Sequence, residues 1–304
     1  MMKRMISGAW TMTFPFFTCG GWFYWIDRYS YAEWRIQESM WTGRCRVLDP
    51  FDIRRAVGTF DECRERLRYL IDAWKIDEPK KKAVVLIHGL FQRPSSFGKI
   101  ADALRAFYEP VFFSYPTLRF DLESSASALN EALNRRPERE QINFVASGMG
   151  GLILRQAIAQ NPEWLPKIGR SVFLAVPTHG YSWLQKWKDK KIFRYLGEAG
   201  KNILPERADA LFPMKGDFGA IIAGTEDEKG INPFFKEDND GVLTVKDAHC
   251  AEAKEEFTAR GKTHFFLHRD DKLIGMTQSF LTTGHFGSGQ RIRKEQNYTN
   301  IWDD

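Results

Sequence analysis

Two glycine-bearing turns hold the residues best placed to do chemistry. Ile87-His88-Gly89-Leu90-Phe91 closes an apolar run, and the loop after it can aim backbone N–H groups into a cavity. Ala146-Ser147-Gly148-Met149-Gly150-Gly151 follows another apolar run and opens a helical stretch. Small residues there let a helix begin close to a strand, and the free N–H groups of its first turn favour negative charge. Stabilisation of an anion is the chemistry these turns can offer. Each also has a plain structural reading. His-Gly ends many ordinary strands, and Gly148 accepts the positive φ of a tight turn. Downstream, Asp238 and Asp240 lie in EDNDGV, itself good turn sequence. His264 and His268 are four apart, as in helical zinc pairs, but no Glu follows His264, so a metal site is not expected. His249 and His285 receive no role.

The elements around these turns alternate. Residues 83–87 (AVVLI), 110–114 (PVFFS), 142–146 (INFVA), 171–176 (SVFLAV) and 218–223 (FGAIIA) read as strands, several of them buried on both faces. Residues 97–107, 122–133 and 149–160 read as helices between them. Repeated β-α units predict an α/β domain, its mostly parallel sheet covered by helices on both faces. Before it, Ile53, Val57, Phe60, Cys63, Leu67, Leu70, Ile71 and Trp74 recur at three- and four-residue steps. That spacing predicts a long helix, capped by Asp49 with Pro50 in its first turn, packed across the domain. DEPKKK (77–82) reads as a polar linker.

Taken together, His88-Gly89-Leu90, Met149-Gly150-Gly151, Pro177-Thr178-His179-Gly180, Asp238-Asn239-Asp240-Gly241-Val242 and Thr263-His264-Phe265 resemble the α/β-hydrolase fold, particularly its lipase-like esterases. The resemblance covers about residues 83–286. It implies an elbow of the G-x-S-x-G type that presents a nucleophilic serine, followed in order by an acid and a histidine. Aligned on Met149-Gly150-Gly151, the nucleophile position is Gly148, and Ala146 replaces the first glycine. The resemblance makes Asp240 the acid, with Asp238 as rival, and His264 the base. It makes the N–H groups of Leu90 and Met149 the oxyanion donors. His88, Gly89, Ser147, Gly150 and His179 would support the site, and no cofactor is implied.

The glycine leaves four readings. Ser147 could substitute, although adjacent strand side chains point to opposite faces. His264 with Asp240 could activate water. The chain could be a variant in which a serine was replaced. Or the protein is a pseudo-hydrolase that binds an acyl ligand or a protein partner without turning it over. The leading expectation is a lipase- or esterase-like protein for an acyl ester or lipid, with turnover impaired or absent. A non-catalytic ligand-binding or membrane-complex scaffold is the alternative.

Composition bounds the rest. The 304 residues are 43% hydrophobic and 27% charged, enough for one sizeable core. A net charge of +5, from 44 basic and 39 acidic residues, is too mild to imply nucleic acid. Cys19, Cys45, Cys63 and Cys250 show no CxxC spacing, and no disulfide framework is expected. Residues 5–26 carry no charge and end in Trp22, Phe23, Tyr24 and Trp25. A membrane helix needs roughly 20 apolar residues. An uncleaved N-terminal anchor of undecided orientation leads there, against a cleaved signal peptide or a soluble protein whose aromatic N-terminus packs on its own core or a partner. The implied divisions are 1–26 hydrophobic segment, 27–82 helical extension and linker, 83–286 hydrolase domain and 287–304 polar tail. Within the domain, residues 177–216 interleave Trp183, Leu184, Trp187, Phe193 and Tyr195 with lysines. They read as a helical cap suited to acyl chains, or equally as an amphipathic cover for the sheet.

Overall fold

The apolar runs become a parallel sheet because each is too hydrophobic to leave either face in water. In a computed structural model, residues 16–17, 24–90, 92–117, 122–185, 203–211, 214–226 and 229–287 are described. Strands β1 (Phe16–Phe17), β2 (Trp25–Tyr31), β3 (Trp34–Ser39), β4 (Cys45–Leu48) and β5 (Ile53–Gly58) come first. Helix α1 (Phe60–Trp74) follows. Then β6 (Lys82–Ile87), α2 (Gly98–Leu104), β7 (Glu109–Phe113), α3 (Leu122–Asn134), β8 (Gln141–Ser147), α4 (Met149–Ala159) and β9 (Ile168–Leu174) alternate. Strands β10 (Phe218–Gly224) and β11 (Glu255–Arg260) and a last helix, Asp271–Thr283, complete the chain.

Strands β6 to β11 form one six-stranded sheet in the order β11-β10-β9-β8-β6-β7, and every pairing in it is parallel. The chain reverses direction at β6, so right-handed crossovers put α2 on one face and α3 and α4 on the other. Helix α3 packs on α4, while the last helix packs on α2 and β9. All strands therefore end at the same edge, where His88 follows β6 and Gly148 follows β8.

Residues 27–59 depart from the expected helical extension. They form most of a five-stranded antiparallel sheet, ordered β1-β5-β4-β3-β2. Asp49 is not a helix cap. Its Oδ1 accepts the N–H groups of Phe51 and Ile53, both at 2.9 Å, and turns the chain from β4 into β5. The helix begins only at Phe60, behind a capping box in which Thr59 and Glu62 bond each other's backbone. Trp34, Ile36, Cys45 and Val47 on one face of the sheet meet Cys63, Leu67 and Leu70 of α1. The opposite face carries Arg35, Gln37 and Arg46, all buried. Arg46 donates twice to Gln37 Oε1, at 3.1 and 2.7 Å, and its guanidinium lies 3.9 Å from the Trp25 ring centre.

The proposed membrane segment falls mostly outside the described residues. Its final part is not helical: Trp25 and Ile26 belong to β2, and Ile26 is buried in the main core. Among the described residues no helix is long and apolar enough to cross a membrane. Most of the predicted cap centre, residues 186–202, and residues 288–304 of the tail also lie outside the described residues.

The turn His264–Arg269 packs on α2 and on the short helical turn Pro94–Phe97. There His268 stacks on Phe97 at 5.5 Å, and among the described residues neither ring nitrogen has a hydrogen-bond partner. Burial, with the charges of Arg269 and His264, pushes its imidazole down to about 4. The α1 cap and this buried ring each make a prediction. Thr59→Ala should cost about 1 kcal/mol by losing the helix cap, seen as a lower urea midpoint at unchanged slope. His268 binds its proton less readily folded than unfolded, so its contribution is present above about pH 6.5 and is lost as pH falls towards about 4. His268→Phe should therefore flatten the loss of unfolding free energy between about pH 7 and about pH 5, by up to about 1.4 kcal/mol per pH unit.

Candidate active site

The elbow is built by close approach. Gly148 follows β8 with φ +50° and ψ −126°, and its N–H donates to Leu174 O at 3.1 Å. Side chains rarely adopt that backbone. Helix α4 then starts tight against the strand ends. A Cβ on Gly150 would lie 2.5 Å from Ile87 O and 2.7 Å from His88 O. A Cβ on Gly151 would lie 2.4 Å from Val176 Cγ2. Met149 is the first helical residue, so its N–H has no partner within the helix.

The other strand end supplies the facing loop. The Gly89 N–H donates to Gln92 Oε1 at 2.9 Å, and Leu90 is packed on the core. His88 is buried. Its ring stacks on Tyr115 at 4.5 Å, and the Tyr115 hydroxyl donates to His88 O at 2.7 Å. His88 thus supports the loop from below.

Across the edge, His264 Nδ1 lies 2.7 Å from Asp240 Oδ2, with both side chains buried. Asp240 Oδ1 accepts the N–H groups of Val242 at 3.0 Å and Leu243 at 2.7 Å, which fixes the carboxylate. The His264 N–H also donates to Asp240 O at 3.2 Å. The ring turns its other nitrogen to the elbow. A Cβ placed on Gly148 would lie 3.4 Å from His264 Nε2 and 3.6 Å from Gly89 Cα. Gly148, Gly89, His264 and Asp240 are therefore gathered at one point.

The rival acid is engaged elsewhere. Asp238 accepts the N–H and hydroxyl of Thr225, both at 2.9 Å, and pairs with Arg260. Ser147 is buried within β8, and strand alternation sends its side chain away from the face that Gly148 presents to His264. His179 is not part of the gathering: its Nδ1 lies 2.9 Å from Asp209 on an exposed surface. Among the described residues no group of three or more His, Cys, Asp or Glu side chains could hold a metal ion.

Sequence reasoning missed three supports. Asn239 is fully buried and ties the acid loop, accepting from Asn232 N–H at 2.9 Å and Gly241 N–H at 3.0 Å. Its place beside Asp240 in a turn-forming run was the available signal. Gln92 and Tyr115 hold the His88-Gly89 turn and carried no local signal. Ile231, Phe234, Phe265 and Phe266 are exposed, and the Phe265 ring meets the His264 ring edge-on at 5.3 Å. Tyr181 is buried beside Asp240 and Asp247; burial first, then those two charges, raise its phenol above the ordinary range.

No protein-family model and no curated protein matches the chain. Solved structures do. The chain is similar to a metagenomic carboxyl esterase, MGS0156, at 14% identity over 62% of this chain and 65% of that one, with a TM-score of 0.50. It is also similar to the mature lipase BlEst2 of Bacillus licheniformis, at 19% identity over 62% of this chain and 88% of that one, with a TM-score of 0.49. Identities this low speak for architecture alone. The parallel sheet flanked by helices is the α/β-hydrolase fold.

Proposed function

We propose that this chain is a lipase- or esterase-like protein that holds an acyl ester or lipid beside His264 and turns it over slowly or not at all. One observation carries the reading. The buried Asp240–His264 pair aims its outer nitrogen at the side of Gly148 from which a nucleophile would project. A carboxylate-held imidazole at a strand-to-helix elbow is the arrangement that serves acyl transfer in serine hydrolases. The exposed Phe265, edge-on to the His264 ring at 5.3 Å, suits an apolar acyl chain.

Asp240 accepts a hydrogen bond from Nδ1–H, which leaves Nε2 as a base. In this reading a water beside Gly148 gives its proton to Nε2 as its oxygen bonds the acyl carbon. The N–H groups of Leu90 and Met149 receive the oxyanion. His264 then returns the proton to the departing alcohol as the ester C–O bond breaks. General-base catalysis of this kind contributes roughly 10² to 10⁴-fold, well short of a covalent route. A pure binding protein is the second reading, favoured by the absence of any side-chain nucleophile at Gly148.

Gly148→Ser separates the two. If the site is intact, cleavage of short and long acyl esters should rise by about 10³-fold or more over the unmodified protein, and His264→Ala in that background should abolish the gain. The serine should also lower stability by about 1–3 kcal/mol, because it must accept a positive φ. A Gly148→Ser protein that stays inert identifies a binder. Rapid ester turnover by the unmodified chain, near the common enzyme value of about 10 s⁻¹, would sink the reading of the elbow.

A further inference from the structure

One of the buried ties between the small sheet and the main one joins β2 to the residue after β7. Asp27 N–H donates to Ser114 O at 3.0 Å, and Ser114 N–H donates back to Asp27 Oδ2 at 2.6 Å. The next residue, Tyr115, stacks on His88 and bonds its carbonyl. His88 therefore stands between this tie and the Gly89-Leu90 turn. Its Nδ1 lies 3.0 Å from Gly89 O. A carbonyl only accepts, so Nδ1 carries the proton and Nε2 offers a lone pair.

Three buried atoms on these residues and on Arg35 have no hydrogen-bond partner among the described residues: Asp27 Oδ1, Arg35 Nη1 and His88 Nε2. Their residues are at most 4% exposed. Arg35 Nη1 lies 3.7 Å from Asp27 Oδ2, and the Arg35 charge acts on His88. Each such group left unpaired in the interior is costly. The set is one donor and two acceptors. A water molecule that accepts once and donates twice is its complement, and buried waters make about three such bonds.

We propose that one buried water joins Arg35 Nη1, Asp27 Oδ1 and His88 Nε2, so that the N-terminal sheet positions the loop carrying Gly89 and Leu90. Asp27 and Arg35 are positioning residues and touch no substrate. The water is independent of the catalytic reading; the consequence for the loop rests on Leu90 as an oxyanion donor.

A crystal structure of the full chain with ordered solvent tests the first part. One water within about 3 Å of all three atoms is expected. Empty density there, or direct bonds among the three groups, overturns the proposal. Kinetics in the Gly148→Ser background tests the second part. Arg35→Met should lower kcat about 10- to 100-fold with KM little changed, and Arg35→Lys should recover most of it. A change in melting temperature alone would overturn the positioning role. If Gly148→Ser is itself inert, the functional reading fails, and the ¹⁵N resonance of His88 Nε2 decides instead. It should shift on Arg35→Met, and an unmoved resonance overturns the link.

Discussion

The first turn of α4 must lie against the ends of β6 and β9, and the rest of the site depends on that approach. Two glycines permit it. An alanine at Gly150 would drive a methyl group into two carbonyl oxygens, and one at Gly151 would strike Val176. Because the helix starts so close, the chain leaving β8 has to reverse within one residue, and Gly148 takes the positive φ that the reversal needs. The same bend turns the α-carbon of Gly148 towards Gly89 on one side and His264 on the other. The parallel sheet does the remainder, since all six strands deliver their following loops to one edge.

A second layer then stiffens that edge from behind. The antiparallel sheet buries an apolar face under α1 and a charged face on its other side. Buried charge is tolerated only when it is paired and hydrogen-bonded. Arg35 meets Asp27 and Asp52, Arg46 meets Gln37, and Arg55 meets Asp49 at 2.6 Å. Arg136 and Arg139, beyond α3, both reach Ser30 on β2. The layers are thus joined by directional bonds as well as by grease, which fixes their register.

The core strands and the elbow were legible because continuous apolar runs broken by glycine have few other solutions. Residues 83–87 and 142–146 sit inside β6 and β8, and Met149 does open a helix. Asp240 was separable from Asp238 only in three dimensions, through Arg260 and Thr225. The N-terminal sheet was misread for a physical reason. Asp49-Pro50 makes a turn with the same side-chain-to-backbone bonds that would cap a helix, and Ile53 and Val57 happen to continue the spacing of α1. Strand β11 escaped notice because an edge strand can be polar; its sequence is EEFTAR. The last helix carried readable signals, an Asp270 cap and a Gly284 stop, that bracket an apolar stripe.

Cys45 lies buried under α1 and Cys63 on the buried face of α1, while Cys250 is buried in the main core. Burial pushes the Cys45 thiol up to about 11 and the Cys63 thiol to about 12. Thiols so protected meet a labelling reagent only when their surroundings open. The chain thereby carries its own clock for each layer: the order in which these sulfurs become alkylated under mild denaturant records whether the small sheet breathes apart before the large one lets go.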